Sequence, residues 1–151
     1  MTTTEEQIPF VDEHAVTVAG APAQVWPAVC DVVDRMTSGL VSEPFARLLG
    51  CVPATAGGPR PLAVGSAIPG FRVTAAEPGR ELRLEGRHRF SRYALVFRLD
   101  ALGPDRTRVR AESRAAFPGL HGRAYRALVI GTRGHVVAVR RLLSTIERRA
   151  A

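Results

Sequence analysis

The sequence predicts an α+β fold in which a curled antiparallel sheet wraps a long C-terminal helix, with two short helices after the first strand. Three observations carry this reading. Residues 71–115 form four runs that alternate apolar and polar, parted by Pro78-Gly79, Ser91-Arg92 and Gly103-Pro104-Asp105. Residues 119–149 instead carry helical periodicity: Ala124, Leu128, Val139, Leu142, Leu143 and Ile146 share one side, and Arg123, Arg126, Arg133, Arg140, Arg141 and Arg148 the other. One alternating run near the N-terminus is followed by two helical stretches and no further strand before residue 60.

Taken in order, residues 1–10 read as a flexible arm, and 11–151 as one domain. His14, Val16 and Val18 mark the inner face of a first strand. After the turn at Gly20 comes a helix whose apolar set is Val25, Trp26, Val29, Val32, Val33 and Met36; Pro27 suits only its first turn, and Thr37 to Gly39 should break it. A second short helix, Glu43–Leu49, stops at Gly50. Residues 52–69 are rich in Gly and Pro and read as a long loop, either a lid or a plain connection, with a short strand at 62–65. In the meander, Leu82, Leu84, Gly86, His88 and Phe90 share one face, and Tyr93, Leu95, Phe97 and Leu99 continue it. Val109, Ala111, Ser113 and Ala115 follow on the last strand, while Glu81, Glu85, Glu112 and the strand arginines point outward. The C-terminal helix would run roughly 40 Å at ~1.5 Å per residue. Gly131 and Gly134 within it cost about 1 kcal/mol each relative to Ala, which suggests close backbone contact or open space beside the small residues of the last strand.

At 151 residues the chain can bury a sizeable core, and its apolar fraction of 46% is ordinary. The N-terminus has neither a basic n-region nor an apolar h-region, and no run approaches the ~20 apolar residues of a membrane span, so a cytoplasmic protein without membrane insertion is expected. Cys30 and Cys51 read as buried free thiols. All 21 basic residues are arginine, and the net charge is +7. That raises nucleic acid as a partner, but the arginines recur on outer strand positions and one helix face instead of clustering with aromatics, so a solvated face is favoured.

The element order is that of the helix-grip fold, and the sequence resembles the START-like SRPBCC superfamily, which includes Bet v 1 relatives and the polyketide cyclase/dehydrase group. The resemblance rests on APAQVW at 21–26, VGSAIPGFRV at 64–73 and GRHRFSRYALVF at 86–97. It implies a cavity between sheet and helix that holds a small hydrophobic molecule, lipid-, polyketide- or quinone-like. Some relatives catalyse cyclisation or dehydration there, and others only carry. Trp26 matches the family's aromatic on the first helix, where core packing is the commoner role.

Strand and helix parity turns all four histidines, His14, His88, His121 and His135, inward. They do not form a metal site: no HxH or HxxxH occurs, and His121 and His135 lie ~21 Å apart along their helix at ~1.5 Å rise. No metal and no cofactor is expected. The candidate ligand-binding residues are Trp26, Phe71, His88, Tyr93, Phe97, Ser113, Tyr125, Thr132 and His135. Binding of a small apolar ligand is the first reading. The second is a cyclase/dehydratase-type enzyme in which His88 or His135 removes a proton while Tyr93, Ser113, Tyr125 or Thr132 holds the oxygen that gains charge. An arginine-rich nucleic-acid binder is the third. Against the second, superfamily cyclases often keep a pocket arginine, whereas here parity sends the strand arginines outward and supplies no inward Asp or Glu to orient a histidine. No catalytic residue is assigned.

Overall fold

Strand alternation and helical spacing translate directly into layers in the computed structural model, which describes residues 8–40, 43–117, 119–131 and 134–150. The elements are β1 (Phe10–Ala19), α1 (Pro22–Leu40), α2 (Glu43–Leu49), β2 (Ala67–Ile68), β3 (Phe71–Glu77), β4 (Glu81–Arg87), β5 (Arg92–Gly103), β6 (Arg106–Ala116), α3 (Gly119–Gly131) and α4 (Gly134–Ala150). Among the described residues the strands form one antiparallel sheet in the order β1-β6-β5-β4-β3-β2. The first and last strands in sequence thus meet through β1 and β6, and the short β2 closes the other edge. This is the helix-grip architecture, with α1 and α4 laid against the inner face.

The pairing register explains the core. One inner row runs His14, Ala111, Phe97, Leu82 and Ala76; the next runs Asp12, Ser113, Leu95, Leu84 and Val73. Leu82, Leu84, Phe97, Val109 and Ala111 are fully buried under Val25, Val29, Val32 and Val33 of α1 and Val139, Leu142, Leu143 and Ile146 of α4. These helix positions recur at three- and four-residue intervals, as an amphipathic face requires. Burying an aliphatic side chain of this size stabilises by roughly 1.5–3 kcal/mol, so this shared apolar layer is what holds both helices down. Arg149 donates to Asp31, tying the end of α4 to α1 at the rim.

Several boundaries differ from the sequence reading. β1 begins at Phe10, not His14, and Ile8 just before it is buried while its carbonyl accepts from Arg114. α1 continues through Thr37 to Gly39 as far as Leu40, and Pro27 lies beyond its first turn. The proline is exposed, and so is Ala23, whose carbonyl it leaves without a helical partner; water can serve that group. The short strand near the loop is Ala67–Ile68, not residues 62–65. That loop is well anchored. Arg60 donates to the carbonyls of Gly57, Pro59 and Ala67 and pairs with Asp34 of α1 at 2.9 Å, and Leu62 is buried. The C-terminal stretch divides into α3 and α4, with 132–133 outside the described residues.

The outer face of the sheet is less solvated than its composition suggests. Arg98 pairs with Glu81 and Glu112, Arg114 with Glu112, Arg83 with Glu85, and Arg110 with Glu13 and Asp100. Ala94 and Val96 point outward yet are buried; by register Ala94 is flanked by Arg114 and Glu85 and Val96 by Arg83 and Glu112, and the arginine stems are apolar enough to cover them. Arg83 and Glu112 are themselves only 6% exposed. Burial alone would raise the Glu112 carboxyl, but hydrogen bonds and charge from Arg98 and Arg114 outweigh it and hold the group below its usual range.

At one point two segments of the chain approach so closely that only glycine fits. A Cβ on Gly86 would lie 2.0 Å from the Gly70 carbonyl oxygen and 2.8 Å from the Tyr93 ring. Gly86→Ala is therefore expected to destabilise by at least the ~1–3 kcal/mol typical of overpacking, read as a lower midpoint in urea unfolding. An unchanged midpoint would contradict the described packing at this strand.

Candidate functional site

Two clusters line the inner face toward the C-terminal end of β6. There the burial of inward residues gives way: Ala111 is buried, but Ser113 and Ala115 keep partial exposure. Ala115 pairs with Tyr93, which pairs with Gly86, so this row presents one large ring and two small residues.

The first cluster is aromatic. Phe71 of β3 meets Tyr93 edge-on at 5.1 Å between centroids, and His88 meets Tyr93 at 5.6 Å and Tyr125 of α3 at 4.8 Å. Phe90 stacks on Tyr125 at 5.6 Å, and Phe117 approaches the same ring at 6.2 Å. Of the candidate residues, Phe71, His88, Tyr93 and Tyr125 are brought together here. Gly122 lets α3 settle onto this cluster, since a Cβ there would lie 2.6 Å from the Phe117 carbonyl carbon. The Tyr93 hydroxyl donates to the Gly70 carbonyl at 2.6 Å; burial first, then the neighbouring Cys51, pushes its ionisation far up, so it stays a neutral donor. Burial also raises Tyr125, and it raises the Cys51 thiol against a hydrogen bond with Tyr93. Cys30, free and buried like Cys51, is pushed by burial up to about 11, so neither thiol is poised as a nucleophile.

His88 has a defined hydrogen-bonding state. The Phe90 N–H donates to its Nδ1 at 3.0 Å, so that nitrogen carries a lone pair, and the ring proton sits on Nε2 facing the Ser91 hydroxyl at 3.1 Å. Both nitrogens are occupied in stapling the β4–β5 link, where the His88 N–H also donates to the Ser91 carbonyl. His88 is thus a wall of the site and has no nitrogen left for a substrate proton.

The second cluster is polar and includes a residue that sequence reasoning missed. A register shift between Phe10 and Asp12 turns Phe10 outward, against the Arg114 guanidinium, and leaves Asp12 opposite Ser113 on the inner face. The expectation that no inward carboxylate exists is therefore corrected. His135 Nε2 lies 2.8 Å from Asp12 Oδ2, and His14 Nε2 lies 3.4 Å from the same oxygen. The signal was present as Asp12-x-His14, two residues of like parity in one strand.

The remaining candidates divide. His14, His88 and His135 are half-buried on the inner side, but His121 is exposed, as is Ala124, so the inward reading of these two is wrong for α3. Phe97 is fully buried core, and Trp26 packs beside that core. Thr132 lies outside the described residues, as do the side chains of Leu128 and Ile130 and the surroundings of Gly131 and Gly134. No group of three or more metal-ligating side chains with suitable geometry occurs among the described residues, and none of their helices is long and apolar enough to cross a membrane.

The tautomer of His88 makes a pH test. Burial lowers its pKa from 6.5. A group with a depressed folded pKa contributes stability above its unfolded value and loses it as pH falls through the folded value. Unfolding free energy should therefore decline as pH drops below about 6.5, and His88→Ala should flatten that decline. Glu112 acts in a lower window, below 4.5, which separates the two. A wild-type slope retained in His88→Ala would show the assignment to be wrong.

Comparison with known proteins adds fold information. No family model and no curated protein sequence matches the chain. Solved structures do. The Zhui aromatase/cyclase from a Streptomyces species superposes with a TM-score of 0.56 at 16% identity, covering 95% of this chain and 96% of that one. A Thalictrum flavum norcoclaurine synthase point mutant, in complex with a transition-state analogue, gives 0.55 at 11% identity, with 95% and 97% covered. A Mycobacterium smegmatis protein gives 0.55 at 11%, with 95% and 98% covered. At these identities the likeness is one of fold alone: the chain shares its helix-grip architecture with these proteins.

Proposed function

We propose that this protein binds a small, largely apolar molecule between the inner face of the sheet and the C-terminal helices. One observation carries the reading. The inner face is sealed along its middle rows, but Phe71, Tyr93, Ser113 and Ala115 keep partial exposure where the aromatic cluster gathers. Inward residues of a filled core are buried, since interiors leave few voids larger than a water molecule. Aromatic walls, small residues on the floor and a few polar groups make a surface suited to a flat, apolar ligand with limited polar decoration. Norcoclaurine synthase, which shares the fold, has been solved in complex with dopamine and hydroxybenzaldehyde, two small aromatic compounds. That precedent supports the ligand size and class proposed for this chain.

Nucleic acid is a poorer partner. Four outer arginines of the sheet, Arg83, Arg98, Arg110 and Arg114, are engaged with Glu13, Glu81, Glu85, Asp100 and Glu112, so the positive charge at the centre of that face is neutralised locally. Only weak, salt-sensitive attraction is expected from the rest.

Ser113→Trp tests the binding reading. In a filled core the added bulk would cost about 1–3 kcal/mol or more. In a recess it should leave the thermal midpoint nearly unchanged while abolishing binding of 1-anilinonaphthalene-8-sulfonate, measured by fluorescence titration. Loss of folding, or dye binding equal to wild type, would rule out a ligand space at this position.

A further inference from the structure

We propose that the end of the molecule built from α2, the β4–β5 link and α3 is a docking surface for an anionic lipid bilayer, on which the protein lies without crossing it. The inference stands apart from the ligand reading. The three segments are contiguous: the Arg89 N–H donates to the Leu49 carbonyl at 3.2 Å, Val52 bridges to Arg87, and the Phe90 ring lies 6.4 Å from that of His121. They also supply His88 and Tyr125 to the aromatic cluster, so the surface and the cluster share one end of the molecule.

Charge is the first observation. Arg47, Arg87, Arg89, Arg92, Arg123 and Arg126 are exposed, and none of them has an ion pair among the described residues. The sequence places no Asp or Glu in 44–76, 86–99 or 113–146. The outer face of the sheet differs, since Arg83, Arg98, Arg110 and Arg114 each meet a carboxylate there. At this end Arg87 even sits directly opposite Arg92 in the β4–β5 ladder. Like charges in facing positions repel and destabilise a sheet, and an anionic surface laid over them offsets that repulsion.

The second observation is apolar. Leu48 of α2 is 70% exposed and Leu120 of α3 80%, and Val52 between α2 and β4 is exposed as well. On α3, at ~100° per residue, Leu120, Ala124 and Ala127 fall within about 60° of one another, on the side away from the buried Gly122. All three are exposed, and Arg123 and Arg126 run along one flank. Single exposed apolar residues are ordinary. An outward apolar stripe edged by arginines is instead the pattern of a helix lying in a membrane interface, its apolar side between headgroups and acyl chains and its cations on lipid phosphates. The two features together select the occupant. A nucleic-acid backbone would engage the arginines but gain nothing from Leu48 and Leu120, and a rigid protein face would need a fixed shape to meet apolar points carried on separate segments. A fluid bilayer meets both.

The experiment titrates the full chain with large unilamellar vesicles of phosphatidylcholine, alone or mixed with phosphatidylglycerol, and measures bound protein by co-sedimentation. The mixed vesicles should bind at least about tenfold more tightly than phosphatidylcholine alone. Arg87→Gln with Arg92→Gln should weaken that binding by about fivefold for each charge removed, and Leu48→Ser with Leu120→Ser by about tenfold. Thermal midpoints should be no lower than that of wild type, because all four side chains are exposed. A nitrobenzoxadiazole label attached through Leu120→Cys should shift its emission to the blue on the vesicles, and one attached through the exposed Leu102→Cys, at the far end of β5, should not. Failure to sediment with the mixed vesicles, equal binding to both vesicle types, or a blue shift at both labels overturns the proposal. Binding that Leu48→Ser with Leu120→Ser leaves unchanged is charge attraction alone and overturns it too. Tighter binding to oligouridylate or to polyglutamate would give the surface to a nucleic acid or an acidic protein, and a dimer that Leu120→Ser dissolves would give it to a second copy of this chain; each of these outcomes also overturns it. Should the double leucine variant fold poorly, the arginine pair and the two labels decide the question.

Discussion

The ring of Tyr93 lying across Gly86, with its hydroxyl on the Gly70 carbonyl, is the contact on which the candidate site depends. It binds three strands and the β2–β3 turn at one place, and it fixes the plane against which Phe71 and His88 set their own rings. A tyrosine over a strand glycine fills the space that the missing side chain leaves and hides a backbone that would otherwise be open. From there the cluster extends through His88 to Tyr125, so among the described side chains α3 is placed by ring contacts and α4 by the aliphatic layer. The two C-terminal helices are consequently held by different chemistry.

That difference explains where the sequence was readable. Parity identified Leu82, Leu84, Phe97 and Val109 as core because regular antiparallel pairing keeps period two over long runs, and helical spacing identified Val25, Val29, Leu142 and Ile146 for the same reason. One helical wheel extended over 119–149 failed for His121 and Ala124, because α3 and α4 rest on different surfaces and need not share a face. The polar cluster was half legible. His14 and His135 were expected inside, but Asp12 was hidden because the strand was started four residues too late and the bulge beside it breaks the alternation that reveals strands. His88 was placed correctly and given the wrong work, since no pattern in the sequence announces that the Phe90 N–H would occupy Nδ1.

The outer face shows how an arginine-only chain manages its charge. Guanidinium groups offer several donors in a planar fork, so Arg98 can serve Glu81 and Glu112 together and Arg110 can serve Asp100 and Glu13. Such pairs contribute little each when exposed, but here the network also roofs Ala94 and Val96, adding apolar coverage to an otherwise bare side of the sheet. The sheet is thereby closed by hydrocarbon on one side and by salt-bridged stems on the other.

The bulge in β1 carries a consequence for how this scaffold could change its chemistry. Ordinary substitution replaces one side chain by another at a fixed station. A strand with an extra residue at Val11 works differently: removing that residue would restore simple pairing, with Phe10 still opposite Arg114 and Asp12 still opposite Ser113. Because pairing from Glu13 to Ala19 is regular, the downstream sheet would keep its register through the event. A single codon lost at Val11 would thus leave the carboxylate beside its histidines, whereas one lost at Glu13 would slide Asp12 opposite Glu112 and turn it to the outer face, in one genetic step with the rest of the sheet left as it was.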